Sequence, residues 1–298
     1  MKETSKSYIY IALTIASWST VATAFKVSLR HYTNYELVLV AAITSVLTFA
    51  IVISFKRKWH LLKTITSKDC KTLAITGLLS PAGYYLVLFK AYDLLPAQIA
   101  SSINYSWPIV LTVLLAIVFK QRIQGLKYLG MAISLGGVSA ISFASEAYEG
   151  EITGIGLPLA FLSAFMWATF WIISRKSDHI DNVLKLFIIF SFGLIYLLIG
   201  TLFVDIHLKF ESELMYAAYV GLFEMAIPFI FFGLALKKTD NPALINQLCF
   251  LSPFISLFII NAVLGEKILF GTIIGLILII SGIIFNEYAV KRISKKTL

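Results

Sequence analysis

Glu224 is the residue whose position most invites chemistry. It stands within Gly221-Leu222-Phe223-Glu224-Met225-Ala226-Ile227-Pro228, with apolar sequence on both sides. An acid at bilayer depth costs about 2.5–3.5 kcal/mol on insertion scales, so it normally faces a bundle interior and works there. It could hold a cationic group, or carry a proton through a cycle as a carboxyl withdrawn from water. The plainer alternative is a protonated structural carboxyl bonded to a neighbouring helix. Pro228, four residues on, has no N–H to offer the Glu224 carbonyl and loosens the helix there. Pro81 occupies a matching place earlier in the chain, and the pair reads as two hinges.

A second constellation is aromatic and amide. Tyr84, Tyr85, Asn104, Tyr105 and Trp107 fall close together, as do Trp167 with Trp171, and Asn246 and Gln247 with Phe250. Rings supply apolar area and amides fix polar ends, a combination that suits a small amphiphile. The competing reading is helix-to-helix glue for Asn104, Gln247 and Trp167, or interfacial aromatics elsewhere. Lys90 could meet a substrate carboxylate or Glu224; equally it could pair with Asp93 or reach the interface. His31, His60, His179 and His207 lie in separate connections and make no metal site, and no cofactor is called for beyond an optional coupling proton. No nucleotide motif appears, which argues against ATP drive. Nor does a nucleophile–base pair that would mark an enzyme.

These side chains need elements of membrane length to position them. The 298 residues are 59% hydrophobic and only 14% charged, and mean hydropathy is +0.86. A span needs about 20 apolar residues. Ten runs approach that length: 8–27, 35–55, 72–92, 99–119, 126–143, 152–174, 183–204, 214–236, 243–264 and 268–290. The expected fold class is therefore all-α membrane protein. Cys70 and Cys249 are isolated and support neither a disulfide framework nor a metal site. The net charge of +9 sits in short connections, not on one basic face, so nucleic acid is not a partner.

The bases fall into every second connection. Lys56, Arg57, Lys58, Lys63, Lys68 and Lys71 share one gap, while the next holds only Lys90. With the N-terminus placed in the cytoplasm, 20 of the 25 Lys and Arg residues lie inside, the pattern of the positive-inside rule. Both termini are then cytoplasmic.

The chain also repeats itself. Tyr105-Ser106-Trp107-Pro108 matches Phe250-Leu251-Ser252-Pro253, and Lys120-Gln121-Arg122-Ile123 matches Gly265-Glu266-Lys267-Ile268. Gly130 and Gly136-Gly137 match Gly275 and Ser281-Gly282 at the same offset, and Trp18 and Lys26 match Trp167 and Arg175. Two halves, 1–145 and 146–298, with five spans each, would run in opposite directions, as secondary transporters commonly do. Small residues at Gly130, Gly136, Gly137, Gly271 and Gly275 mark the fifth and tenth spans as scaffold or dimer contacts.

Ser17-Trp18-Ser19-Thr20, the stretch from Ala91 to Pro108, and Leu264-Gly265-Glu266-Lys267 resemble the EamA-type, ten-helix branch of the drug/metabolite transporter superfamily. Ile103-Asn104-Tyr105-Ser106-Trp107-Pro108 is similar to bacterial aromatic amino-acid exporters of that superfamily. Gln121 departs from the family, which often carries Glu there. The resemblance implies a central cavity lined by spans one, three, four, six, eight and nine, with Trp18 facing the other aromatics. It further implies a multi-pass carrier of the bacterial inner membrane that exports amino acids or similar metabolites by alternating access; whether it works as a monomer or homodimer stays open. The alternatives are a carrier of organic cations or drugs neutralised by Glu224, or, from another class, an integral-membrane enzyme or lipid scramblase.

Overall fold

A computed structural model describes residues 3–118, 125–146, 154–208, 213–239, 245, 248–249 and 251–294. The described residues form helices and no strand. Helices are what such a sequence must make in lipid, where each backbone N–H and C=O has to be satisfied within its own segment. The elements are α1 (Glu3–Ser28), α2 (Asn34–Phe55), α3 (Ser67–Gly77), α4 (Tyr84–Leu94), α5 (Ala97–Asn104), α6 (Trp107–Val118) and α7 (Gly125–Glu146). They continue as α8 (Gly156–Ser174), α9 (Asn182–Gly200), α10 (Leu214–Val220), α11 (Ile227–Lys237), α12 (Leu251–Leu264) and α13 (Phe270–Ser294).

Among the described residues, six helical stretches are long and apolar enough to cross a membrane: 5–28, 34–55, 67–94, 156–177, 182–200 and 214–237. Shorter apolar helices cover 129–141, 251–264 and 270–285. Large apolar side chains such as Phe55, Phe203, Met215 and Phe258 are exposed on the outside, as lipid contact requires.

Two long spans are interrupted at matching places. A π-helical turn, Leu78–Gly83, joins α3 to α4 and contains Pro81; Ser80 inside it is extended, with φ −151° and ψ 128°. A second π-helical turn, Gly221–Ala226, joins α10 to α11 and contains Glu224. Such single turns relax the i→i−4 ladder and leave a local bend. The stretch 99–119, expected as one helix, is divided by a turn at Tyr105–Ser106. The reason is Pro108, which cannot donate to the Asn104 carbonyl.

Packing ties the interrupted spans to distant partners. The first π turn lies against α9, and the second lies against α2. A Cβ added to Gly193 of α9 would sit 2.4 Å from Pro81 Cδ, and one added to Gly221 would sit 2.6 Å from the Ala41 carbonyl. Ser45 Oγ donates to the Gly221 carbonyl at 3.0 Å. Helix α1 lies along α10, α11 and α12, while α8 lies along α4, α5 and α6. Helices α7 and α13 pack on each other through glycines rather than leaving them to the outside: a Cβ on Gly137 would fall 2.5 Å from the Gly275 carbonyl, whereas one on Gly136 would meet nothing within 4 Å.

Polar links collect at the two ends of the bundle. At one end Lys58 pairs with Asp181 at 2.5 Å, His179 meets Asp69 at 3.1 Å, and Lys185 meets Asp178 at 2.8 Å. At the other, Glu36 accepts from the His207 N–H at 2.7 Å and completes a capping box with Thr33 at the start of α2.

Asp181 caps α9 through the N–H groups of Val183 and Leu184. Burial opposes its charge, but the Lys58 ammonium and these two N–H groups together hold its carboxyl below the usual carboxylate range. A depressed folded-state pKa stabilises the fold at neutral pH, and the benefit fades as pH falls through that value. Asp181→Asn keeps a capping oxygen but loses the negative charge at the helix N-terminus, so it should cost about 0.3–1 kcal/mol at pH 7. The partly exposed ion pair adds little to that. Melting curves of the two proteins should converge toward pH 3; a constant gap across pH would refute the assignment.

Candidate functional site

Glu224 is brought into the middle of the bundle by α10 and the turn that follows, and is 9% exposed. Tyr85 Oη, on the first turn of α4, donates to Glu224 Oε1 at 3.2 Å. The Glu224 main-chain carbonyl receives a different donor: Trp18 Nε1 of α1, at 3.3 Å. Pro228 explains why that carbonyl is available, since no N–H follows it at i+4. Three helices thus converge on one residue, and the one that carries it is locally unwound.

Rings close around the acid. Tyr84 lies edge-on to Tyr85, centroids 4.6 Å apart, and stacks on Trp167 at 4.8 Å. Trp167 meets Phe229 at 5.5 Å and Trp171 at 5.9 Å. Trp18 and Trp171 both contact Phe232, each at 5.8 Å. Stacked and edge-to-face ring pairs fix ring orientation and add about 0.5–1.5 kcal/mol each beyond burial. On one wall Tyr84 Oη donates to Asn104 Oδ1 at 3.4 Å, and Asn104 Nδ2 donates to Ser163 Oγ at 2.8 Å. The buried Trp171 Nε1 has no hydrogen-bond partner among the described residues.

The sequence-derived candidates separate in space. Trp18, Tyr84, Tyr85, Asn104, Trp167, Trp171 and Glu224 are brought together by the contacts above. Tyr105 and Trp107 are half-buried against the same core at the turn between α5 and α6. Asn246, Gln247 and Phe250 lie outside the described residues. Lys90 stands apart: its Nζ meets Asp93 Oδ2 at 2.6 Å, with both side chains exposed near the end of α4. Phe229, Phe232 and Ser163 were not singled out from sequence. The only available signal was that the phenylalanines follow Glu224 by five and eight residues, within an Ile227–Phe232 run that reads as uniformly apolar.

Trp18→Phe keeps the ring and removes the donor. An unsatisfied buried carbonyl costs about 1–3 kcal/mol, so the melting midpoint should drop by several degrees, at about 2–4 °C per kcal/mol for a chain of this order. An unchanged midpoint would mean that another donor serves the Glu224 carbonyl.

A multi-pass helical membrane protein with an acid and an aromatic cluster buried at its centre is the class that fold and site define. The chain belongs to the EamA-like transporter family, whose profile matches it twice, over residues 5–143 and 154–288. It is 27% identical over 244 residues to an uncharacterized transporter of Clostridium kluyveri, covering 76% of this chain and 75% of that one. It is 24% identical over 307 residues to the uncharacterized transporter YdfC of Bacillus subtilis, covering 99% and 95%. A solved crystal structure has the same fold, with TM-score 0.69 and 19% identity across 97% of this chain and 99% of that one.

Proposed function

We propose that this membrane transporter is a secondary carrier that exports amino acids or similar small metabolites across the bacterial inner membrane. Alternating access would come from two five-helix halves of opposite orientation, 1–145 and 146–298, with both termini cytoplasmic. The observation that carries the reading is Glu224: a buried carboxylate, set in a π turn, bonded to Tyr85 and enclosed by rings. A carboxylate there can hold a cargo ammonium while aromatic faces take its apolar body and attract its cation.

Two observations support opposed halves. The family profile matches the chain twice, and each π turn packs on a helix from the other half, the first on α9 and the second on α2. Rocking one half against the other would bend the chain at these two turns, beside Pro81 and Pro228. The same carboxylate would also serve organic cations or drugs, the second reading the site allows.

Proton coupling has a direct test. Purified protein in liposomes, given a radiolabelled aromatic amino acid, should accumulate it at least several-fold when a pH gradient is imposed. Equal distribution with and without the gradient would make the carrier a facilitator. No movement of any amino acid, with movement of a quaternary amine, would favour the second reading.

A further inference from the structure

A recess of about 350 Å³ opens at the end of the bundle where α1 and α4 finish, lined by Lys26, Leu29, Arg30, Asp93, Leu264 and Glu266. Lys26 and Arg30 stand four residues apart, at the last turn of α1 and just past it, so two like charges repel across one helical turn. The two carboxylates in the recess attract Lys26 through space but spend their hydrogen bonds elsewhere. Asp93 Oδ2 takes the Lys90 ammonium at 2.6 Å. Glu266 Oε1 accepts from the Ala97 N–H at 3.1 Å, and Oε2 from the Gln98 N–H at 3.5 Å. Gln98 Nε2 in turn donates to the Lys267 carbonyl at 2.8 Å, so Glu266 is held as the cap of α5. Among the described residues neither Lys26 nor Arg30 forms an ion pair.

The recess also has an inward direction. Next to Lys26, the buried Phe25 contacts Phe89 at 4.7 Å and Tyr92 at 4.9 Å. Phe89 contacts Tyr85 at 5.5 Å, and Tyr85 bonds to Glu224. A short column of buried rings therefore separates the recess from the central acid.

We propose that this recess binds the carboxylate of a small organic acid or amino acid, as a station at one mouth of the pathway. The guanidinium of Arg30 offers a fork that matches a carboxylate, Lys26 adds a second cation, and Leu29 and Leu264 accept an apolar body. The volume lies in the range of small-molecule sites. Its role as a station rests on the transport reading; the binding itself does not.

Phenylacetate is the probe, because it carries a ring and a carboxylate but no ammonium for Glu224. Equilibrium dialysis of the radiolabelled compound against full-length protein in non-ionic detergent should show saturable binding. Arg30→Gln should weaken it at least about tenfold, as expected for losing charge-assisted hydrogen bonds. Arg30→Lys should recover part of that loss, and Lys26→Gln combined with Arg30→Gln should remove binding. Glu224→Gln should leave it unchanged, and neutral phenylacetamide should not bind. Arg30 is exposed, so its single variants keep the test usable if the double variant does not fold. Absence of binding to the wild type, equal binding by Arg30→Gln, or equal binding of the amide would overturn the proposal. A change of phenylacetate binding in Glu224→Gln, in either direction, would place the probe at the central site and overturn it as well. Displacement of phenylacetate by phosphatidylglycerol in mixed micelles would assign the recess to a lipid headgroup, with the same consequence. Normal phenylacetate binding alongside failed amino-acid transport would count against the transport reading alone.

Discussion

Glu224→Gln is expected to reduce gradient-driven accumulation in proteoliposomes to the level of protein-free vesicles while leaving the protein folded. Glutamine has the shape of glutamate and can still accept from Tyr85 Oη, now 3.2 Å from Oε1, so the aromatic packing around it should survive. What the variant loses is charge and the ability to titrate. If the carboxylate holds a cargo ammonium, its removal leaves a buried cation unpaired, at a cost of about 3–5 kcal/mol. That corresponds to roughly 100- to 5,000-fold in affinity. If it carries a coupling proton instead, gradient-driven accumulation should vanish while exchange of cargo persists. Both arms are read from the same vesicles, with counterflow separating the second from the first. Undiminished accumulation in Glu224→Gln would leave the acid as a structural carboxyl and send the search for the cargo's cation partner elsewhere.

Gly137→Leu is expected to be among the most destabilising single changes in the chain. Helices α7 and α13 touch backbone to backbone: a Cβ on Gly137 would lie 2.5 Å from the Gly275 carbonyl and 2.8 Å from the Ile279 nitrogen. Neither obstacle is the flexible tip of a side chain, so the helices themselves must separate. Overpacking a close contact costs about 1–3 kcal/mol and occasionally more. Within a bilayer, small-residue packing is a main source of helix association. A fall of roughly 2–12 °C in melting midpoint follows at about 2–4 °C per kcal/mol. Gly136→Leu is the matched control, because its Cβ would meet nothing within 4 Å. Equal melting of the two variants would refute the argument. The contrast also shows that at least one side of this glycine pair serves packing within the chain.

The acid and most of its enclosing rings were legible in the sequence because their signal is one of solvent preference. Glu224 stands out against an apolar run whatever its neighbours turn out to be. Trp167 and Tyr85 stand out because large rings with a polar atom need both apolar area and a partner. Phe229 and Phe232 carried no such mark: inside Ile227–Phe232 any residue could face lipid or core, and only the rotation of α11 selects which ones meet Trp18 and Trp171. Lys90 illustrates the opposite difficulty. Its type and place allowed a role at Glu224, yet its ammonium lies against Asp93, three residues on, where a local partner costs less ordering than a distant one.

The same division runs through Glu266. As Leu264-Gly265-Glu266-Lys267 it was a recognisable string, with Gln121 in the corresponding place of the first half. That its carboxylate sits on the N–H groups of Ala97 and Gln98 required α5 to begin beside a loop about 170 residues away. A helix start always leaves N–H groups seeking an acceptor, but the sequence of α5 does not say which chain segment supplies it.

By itself the sequence determined that the chain lives in a membrane, that its long apolar stretches are largely helical, and that one acid has no place at either end. Those facts follow from the partition of each short segment between water and hydrocarbon, which depends on local composition. Only the tertiary structure decided that Tyr85 and Trp18 grip Glu224 from two different helices, one by its carboxyl and one by the carbonyl left without a donor by Pro228. Contacts of that kind depend on how far each helix is rotated and how closely glycines let neighbours approach, and these quantities arise only when the helices pack together.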